Sequence, residues 1–190
     1  TCFDYDGTFW HLQDAVFDLP PLETDGAPAR PEVWLGAHGP RMLALTGEHG
    51  DGWLPTGLSP TEYERSWRRI AESARDAGRD PDRITRALSK SVILDETREE
   101  CETLLDSLLV RLDCLSLPAD RYRTHGYQHP LGAEFDGILE YVPSRLDREE
   151  ALAAAERVPM EVVKDHYLWG TPEDLTEQLE AYAEAGVSHL

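Results

Sequence analysis

The sequence predicts an α/β protein in which helices cover a parallel β-sheet. Short apolar runs, typical of buried parallel strands, alternate along the chain with segments whose apolar residues recur at helical spacing. Turns that contain glycine or proline separate these segments. We count four strand candidates, near Val33, Trp53, Val92 and Val187. The architecture is therefore a doubly wound sheet or part of a (β/α)8 barrel.

Residues 31–56 show this pattern most clearly. An apolar run at 33–37 leads into a turn at His38, Gly39 and Pro40, a helix at 41–49 and a second apolar run from Trp53. We expect Gly39 to take backbone angles that are closed to other residues. Strand, helix and strand make a βαβ unit, and its first turn faces the free N–H groups of a helix start. Such a turn can hold a phosphate group.

The elements that follow carry recognisable helix starts. Ser59, followed by proline and acidic residues, begins a helix that we expect to reach Ala77. Residues 83–94 are predicted to supply the next strand, and Asp95 or Thr97 to cap one long helix that extends to Leu112. Shorter helices are predicted from residues 147 and 158. A last helix at 172–185, capped by Thr171, leads into a strand at 187.

Two stretches are less regular than the rest. Residues 1–30 are expected to form an irregular excursion with a hairpin around Asp6 and Gly7. Residues 117–145 are expected to form an insertion loop, in which 126–132 is ordered and has a functional role. We interpret residues 1–190 as a single partial domain. Since the chain has no initiator Met and stops where a strand begins, we expect it to be a fragment of a larger protein.

The charge of the chain limits its partners. The net charge is −19, from 37 acidic against 18 basic residues, and Lys90 and Lys164 are the only lysines. Such a surface repels nucleic acid and anionic membranes, so we expect neither as a partner. A well-hydrated surface and adaptation to a high-salt cytoplasm both explain the composition. Cys2, Cys101 and Cys114 share no metal-ligand spacing, and the last two fit a helical core, which favours a reducing, cytoplasmic setting.

The candidate binding site is the turn that follows the first apolar run. An ordinary tight connection between strand and helix would explain its glycines equally well. The spacing is not GxGxxG, and the turn lacks the lysine of a phosphate-binding P-loop, so neither nucleotide fingerprint applies. The sequence predicts an anion-binding turn made of Gly36, Ala37, His38, Gly39, Pro40, Arg41 and Met42.

Other polar and aromatic residues have simpler structural interpretations. Asp51, between two glycines, is typical of a turn, and His49 suits the C-terminus of a helix. No spacing supports a Ser-His-Asp or Cys-His arrangement. Trp53, Trp67 and Trp169 are expected to line the core or a pocket. No metal site is predicted, because metal-ligand spacing is missing among His125, His129 and His166.

Several short motifs, weak one by one, occur in the order of a known family. They are WLGAHGPRML at 34–43, GE at 47–48, DGWLP at 51–55, Gly126 with HPLG at 129–132, VP at 158–159, GTPED at 170–174 and GVSHL at 186–190. Together they resemble the luciferase-like monooxygenase superfamily. The resemblance is closest to its coenzyme F420-dependent branch, which includes methylenetetrahydromethanopterin reductase and the phthiodiolone-type ketoreductases.

The resemblance implies the C-terminal portion of a (β/α)8 barrel with its cofactor at the carboxyl ends of the strands. The turn at 36–42 would hold the cofactor phosphate, and the reaction would be hydride transfer between coenzyme F420 and a small organic substrate. An FMN-dependent monooxygenase is the alternative enzyme, and a non-catalytic half-barrel that binds or assembles is an alternative of another class.

The catalytic residues stay unassigned, because in this family they come largely from the first barrel strands, which the chain does not contain. The loop at 126–132 and the strand end near Trp53 are predicted to contact substrate or cofactor. At full length, we expect the protein to form a homodimer in the cytoplasm.

Overall fold

The computed structural model describes residues 2–16, 23–24, 27–28 and 30–190, which fall into two compact units, 1–33 and 34–190. In the first unit, β1 (Cys2–Asp6) and β2 (His11–Val16) form an antiparallel hairpin, which confirms the hairpin predicted around Asp6 and Gly7. The two-residue strands β3 (Glu23–Thr24) and β4 (Ala27–Pro28) also pair antiparallel. The rest of the predicted excursion, apart from Gly7–Trp10 and Arg30, lies outside the described residues.

The second unit begins with the predicted βαβ unit, which is confirmed. Strand β5 (Trp34–Leu35), helix α1 (Pro40–His49) and strand β6 (Gly52–Trp53) follow one another, and β5 and β6 pair in parallel. Helix α2 (Pro60–Asp76) leads to β7 (Thr85–Arg86), which pairs in parallel with β6. A parallel bridge between Ala87 and His189 adds a fourth segment beside β7.

A second parallel pair consists of β8 (Val92–Leu94) and β9 (Leu168–Gly170). Short 3-10 helices occur at Pro81–Arg83, Gly137–Leu139 and Pro143–Arg145. The remaining helices are α3 (Arg98–Leu105), α4 (Leu108–Cys114), α5 (Ala119–Thr124), α6 (Arg148–Glu156), α7 (Met160–His166) and α8 (Pro172–Glu184). Among the helices of the described residues, none is long and apolar enough to span a lipid bilayer.

Local side chains explain why several helices begin where the sequence predicts. Ser59 and Glu62 form a reciprocal capping box at the start of α2, and Thr171 and Asp174 form another at the start of α8. Thr97 caps α3. The close approach of α1 to α2 depends on Gly47, because a Cβ there would lie 2.3 Å from the Ile70 carbonyl oxygen.

Three predicted elements differ from the structure. The strand expected at 83–94 divides into β7 and β8, which pair with different partners. The strand expected at 187 is reduced to the bridge at His189, whereas the apolar stretch ending at Gly170 forms β9. The long helix stops at Leu105 and restarts at Leu108. At this break Arg111 binds the carboxylate of Asp106 and donates to the Val158 carbonyl at 2.6 Å.

Two hydrophobic clusters form the core of the second unit. Cys101 and Cys114, predicted to be core thiols, are both free and fully buried, and burial raises the pKa of Cys114 to about 12. The first cluster includes Leu43, Trp53, Tyr63, Ile70, Leu88 and Tyr182. The second includes Cys101, Leu105, Cys114, Leu115, Tyr122, Val162 and Val163.

Candidate functional site

The parallel strands β5, β6 and β7 bring three polar residues to one edge, which we call the carboxyl rim: His38, Thr56 and Lys90. These residues follow the three strands in turn. Thr56 forms a parallel bridge with Ser89, and the amide of Gly57 donates to the Ser89 carbonyl at 3.1 Å, so the chain segments stay side by side beyond the strands. Ligands of parallel α/β proteins bind at this edge, which makes the rim the candidate site.

The predicted turn at 36–42 lies at the carboxyl rim and is tied to the core. The side chain of Ala37 is 2% exposed, and its carbonyl accepts a hydrogen bond of 2.9 Å from the Trp53 indole nitrogen. A Cβ at Gly36 would lie 3.3 Å from the Leu54 carbonyl oxygen. Small residues at 36 and 37 therefore let β5 lie close to β6, and the Trp53 hydrogen bond fixes where the turn begins.

Gly39 differs from the sequence-based expectation. Its φ of −74° and ψ of 152° are ordinary extended angles, so the backbone conformation does not require glycine. A Cβ built on Gly39 meets no protein atom within 4 Å. Neither strain nor protein packing accounts for glycine here, whereas close approach of a ligand to the backbone would account for it.

Helix α1 starts directly behind Gly39 and has the properties of an anion site. Pro40 occupies its first turn, no side chain caps the helix, and no acidic residue lies in the first turn. The first intrahelical bond runs from the Leu43 amide to the Gly39 carbonyl at 2.9 Å. The amides of Arg41 and Met42 precede that bond, so the positive end of the helix dipole lies at this turn. The residues of the turn therefore fit a phosphate group.

His38 adds a hydrogen-bond donor to the turn. Its Nε2 lies 3.4 Å from both the amide nitrogen and the hydroxyl oxygen of Thr56. Since the amide can only donate, Nε2 accepts and the proton of the neutral ring is on Nδ1. Burial, followed by the positive charge of Arg121, lowers the pKa of His38, and Glu62 partly opposes this. The ring is therefore neutral at pH 7.

Helix α5 reaches the carboxyl rim through an ion pair that the sequence did not reveal. One guanidinium nitrogen of Arg121 lies 2.9 and 3.0 Å from the two carboxylate oxygens of Glu62, and the other donates to the Gly57 carbonyl at 3.2 Å. Burial favours the neutral form of Glu62, but hydrogen bonds from Ser59 and Arg121 outweigh it and lower the pKa. The predicted insertion loop is thus anchored to the start of α2.

Trp53 and His129 lie in the two regions predicted to contact a ligand, and both side chains are buried. Trp53 is 0% exposed and packs against Tyr63 with ring centroids 4.5 Å apart. In the loop at 126–132, His129 is 4% exposed, lies 4.5 Å from the Phe135 ring, and accepts a hydrogen bond from the Leu131 amide at 3.1 Å. Both side chains belong to the core. In the part of the chain described, no three His, Cys, Asp or Glu side chains group to hold a metal ion.

With this geometry established, comparison with known proteins identifies the family. The profile of the luciferase-like monooxygenase family matches residues 1–189. The chain belongs to this family. The phthiodiolone/phenolphthiodiolone dimycocerosates ketoreductase of Mycobacterium kansasii is 34% identical over 186 residues, which are 97% of this chain and 50% of that protein. The family and the ketoreductase relationship predicted from the motifs are therefore confirmed.

Solved structures show the same fold. The coenzyme F420-dependent tetrahydromethanopterin reductase of Methanopyrus kandleri superposes with a TM-score of 0.67 at 21% identity, over 98% of this chain and 50% of that one. A Type II Baeyer-Villiger monooxygenase of Pseudomonas putida in complex with FMN gives a TM-score of 0.51 at 19% identity, over 100% of this chain and 51% of that one. The predicted partial (β/α)8 barrel is confirmed. The chain spans about half the length of the curated relatives it matches.

Proposed function

We propose that this chain supplies the cofactor-phosphate site of an oxidoreductase that transfers a hydride between coenzyme F420 and a small organic substrate. The observation that carries the proposal is the uncapped start of α1 behind Gly39, at the carboxyl rim of a parallel sheet. The redox class rests on membership in the family and on the 34% identity to a ketoreductase.

The residues of the turn have distinct tasks in this proposal. The amides of Arg41 and Met42 donate to phosphate oxygens, and the exposed Arg41 guanidinium adds positive charge. His38 offers its Nδ1 proton, while Thr56 holds the ring in place. The deazaflavin ring of F420 supplies the hydride chemistry when bound. We assign no catalytic residue to the chain.

The preference for F420 over FMN follows the closer resemblance to F420-dependent proteins and is part of the proposal. Both cofactors carry a phosphate that this turn can accept, so the turn by itself does not separate them. An FMN-dependent monooxygenase is accordingly the competing outcome of the test.

The test is a titration of the intact protein with oxidised F420, followed by the fluorescence of the cofactor, with a parallel titration with FMN. We expect saturable binding of F420 and reduction of F420 when a secondary alcohol is the hydride donor or, in reverse, oxidation of reduced F420 by a ketone. Binding of FMN alone, with oxygen consumption, would favour the monooxygenase. If neither cofactor binds, the proposal is wrong.

A further inference from the structure

A cavity of about 220 Å³ extends from Lys90 of the carboxyl rim, and its lining shares no residue with the turn at 36–42. The segment that joins β6 to α2 forms one side of it, through Gly57 and Ser59. The end of α7 and the inner face of α8 form the rest, and Lys90 reaches it from the end of β7. The cavity is thus built from elements that come together only in the folded chain.

Both lysines of the chain line this one cavity. The sequence has 37 acidic residues and a net charge of −19, and arginine supplies all its other positive side chains. Lys90 and Lys164 are far apart in sequence and lie on different elements, yet they meet here. A strongly acidic protein thus holds its two ammonium groups around a single small cavity, where they attract negative charge.

Lys90 is the group best placed to bind an anion. Its Nζ donates to the Asp165 backbone carbonyl at 3.2 Å, and in the described part of the chain no carboxylate lies within 4.0 Å of it. Burial lowers the pKa of Lys90; among the charged neighbours Asp165 and Glu62 raise it and Arg121 lowers it. A half-buried ammonium with two further donors and no carboxylate of the described residues in direct contact is costly to leave unpaired.

Lys164 is held firmly at the same cavity. Its Nζ lies 2.7 Å from a Glu102 carboxylate oxygen and 4.7 Å from the centre of the Trp169 ring. The Asp165 carboxylate, also in the lining, is half-exposed and lies 3.5 Å from His125 Nε2. Glu102 neutralises Lys164, so Lys90 is the lysine of the lining that has no carboxylate partner within 4.0 Å among the described residues.

The other polar groups of the lining are already used within the protein. The Tyr182 hydroxyl donates to the Leu58 carbonyl at 2.9 Å, and the Tyr167 hydroxyl donates to Asp113 at 2.6 Å. The Gln178 amide donates to the Trp169 carbonyl at 2.8 Å. The ammonium group of Lys90, which has two further donors, is therefore left to recognise a ligand.

We infer that this cavity binds a small oxyanion, the carboxylate or phosphate group of a small molecule, through the ammonium group of Lys90 with Lys164 as the second cation. Charge-assisted hydrogen bonds to the oxyanion would use the two remaining donors of Lys90. The inference goes beyond the proposed cofactor function and does not depend on it.

The experiment uses the intact protein with lysines labelled with ¹³C and ¹⁵N, which keeps all three N–H donors of each ammonium group, titrated with inorganic phosphate and with acetate at constant ionic strength. The variants Lys90→Met and Lys164→Met assign the two resonances by removing them. We expect a saturable shift of the Lys90 resonance, and calorimetry on unmodified protein should show affinity at least tenfold weaker in Lys90→Met. The anion that shifts Lys90 at the lower concentration identifies the carboxylate or the phosphate as the preferred group.

Arg68→Met is the matched control, because it also removes one positive charge but from an exposed ion pair with Glu64 on α2. Its affinity for the anion should be unchanged. An unmoved Lys90 resonance, or equal affinity in Lys90→Met, would overturn the inference. If Lys90→Met does not fold, Lys90→Arg should retain binding and Lys164→Met should weaken it, and failure of both overturns the inference.

The same variants separate this inference from the proposed function. Lys164→Met that weakens oxyanion binding but still binds F420 supports the cavity as a site separate from the turn at 36–42. If neither wild type nor any variant binds F420 while oxyanion binding is intact, the result counts against the cofactor proposal alone.

Discussion

The guanidinium group of Arg121 lies 2.9 Å from the Glu62 carboxylate and joins α5 to the capping box of α2. Both side chains are about a quarter exposed, so solvent screens the pair only in part. The pair connects a segment expected to be an insertion loop with the residues around His38. Removing the pair should change both the free energy of unfolding and the pKa of His38.

Arg121→Met should lower the free energy of unfolding by roughly 1–2 kcal/mol, between the values of exposed and buried ion pairs. It should also raise the pKa of His38, because the positive charge that lowers it is gone while Glu62 remains. Urea denaturation and an NMR titration of the histidine ring measure the two effects. In the control Arg68→Met, the exposed pair with Glu64 should contribute less than about 0.5 kcal/mol. An unchanged pKa of His38 in Arg121→Met would contradict the electrostatic argument.

Gly39→Val should keep the fold and lose the cofactor. The ordinary backbone angles and the space around a Cβ accommodate valine, so the free energy of unfolding should fall by less than about 1 kcal/mol. A branched side chain on the backbone of the turn should weaken F420 binding at least tenfold. The comparison is Glu72→Val, which places valine on an exposed part of α2 and should bind F420 normally. Equal affinities in the two variants would remove the phosphate role of the turn.

His129 should make the protein less stable in mild acid. Burial lowers the pKa of His129 in the folded protein below the ordinary value of 6.5, so below that pH the unfolded chain binds the proton more readily. The contribution of neutral His129 to the free energy of unfolding is fully present above pH 6.5, and it is lost as the pH falls through the pKa of His129 in the folded protein. In urea denaturation at pH 7.5 and pH 5.5, wild type should lose more stability than His129→Gln.

The control for His129 is the exposed His49, which lies at the end of α1. His49→Gln should retain the full acid sensitivity of wild type. If His129→Gln is as acid-sensitive as wild type, another group, such as His38, whose pKa is also lowered, is responsible.

Gly186 and Gly78 both have positive φ, but of the two only Gly186 has protein atoms close to where a Cβ would lie. Alanine variants at the two positions therefore distinguish the cost of backbone strain from the cost of a side-chain clash. Gly186 has φ of +89°, and a Cβ there would lie 2.2 Å from the Arg86 guanidinium, which stacks on Trp67 and donates to the Ala185 carbonyl. Gly78 has φ of +72° with no atom within 4 Å of a Cβ. Gly78→Ala should cost about 1 kcal/mol of unfolding free energy from strain alone, and Gly186→Ala clearly more. Thermal denaturation compares them, and equal losses would mean that Arg86 moves freely.

The parts of the fold that the sequence predicts well are those decided by neighbours in the chain. Ser59 with Glu62 and Thr171 with Asp174 specify helix starts within four residues. The first βαβ unit and the turn at 36–42 follow from apolar runs and glycines in the same way. The sequence alone therefore predicts that the turn lies at the carboxyl rim.

Features that depend on distant residues were not predictable. The pairing of β8 with β9 joins segments more than 70 residues apart, and each strand is only three residues long. Nothing near Arg121 in the sequence indicates that it pairs with Glu62. The hydrogen bond from Arg111 to the Val158 carbonyl, beside the helix break at Asp106, likewise joins residues 47 positions apart. The meeting of Lys90 and Lys164 at one cavity belongs to the same class, although the scarcity of lysine was visible in the sequence.

The hydrogen bond from the Trp53 indole to the Ala37 carbonyl couples the hydrophobic core to the turn that is proposed to hold the cofactor phosphate. The indole packs against Tyr63 and the stacked ring of Trp67, so the position of Ala37 depends on aromatic packing in the core. Evolution of this protein could therefore tune cofactor affinity without changing any residue of the turn. Substitutions in the aromatic layer would shift the turn by fractions of an ångström, and a search for functional variation that considers only surface residues would miss them.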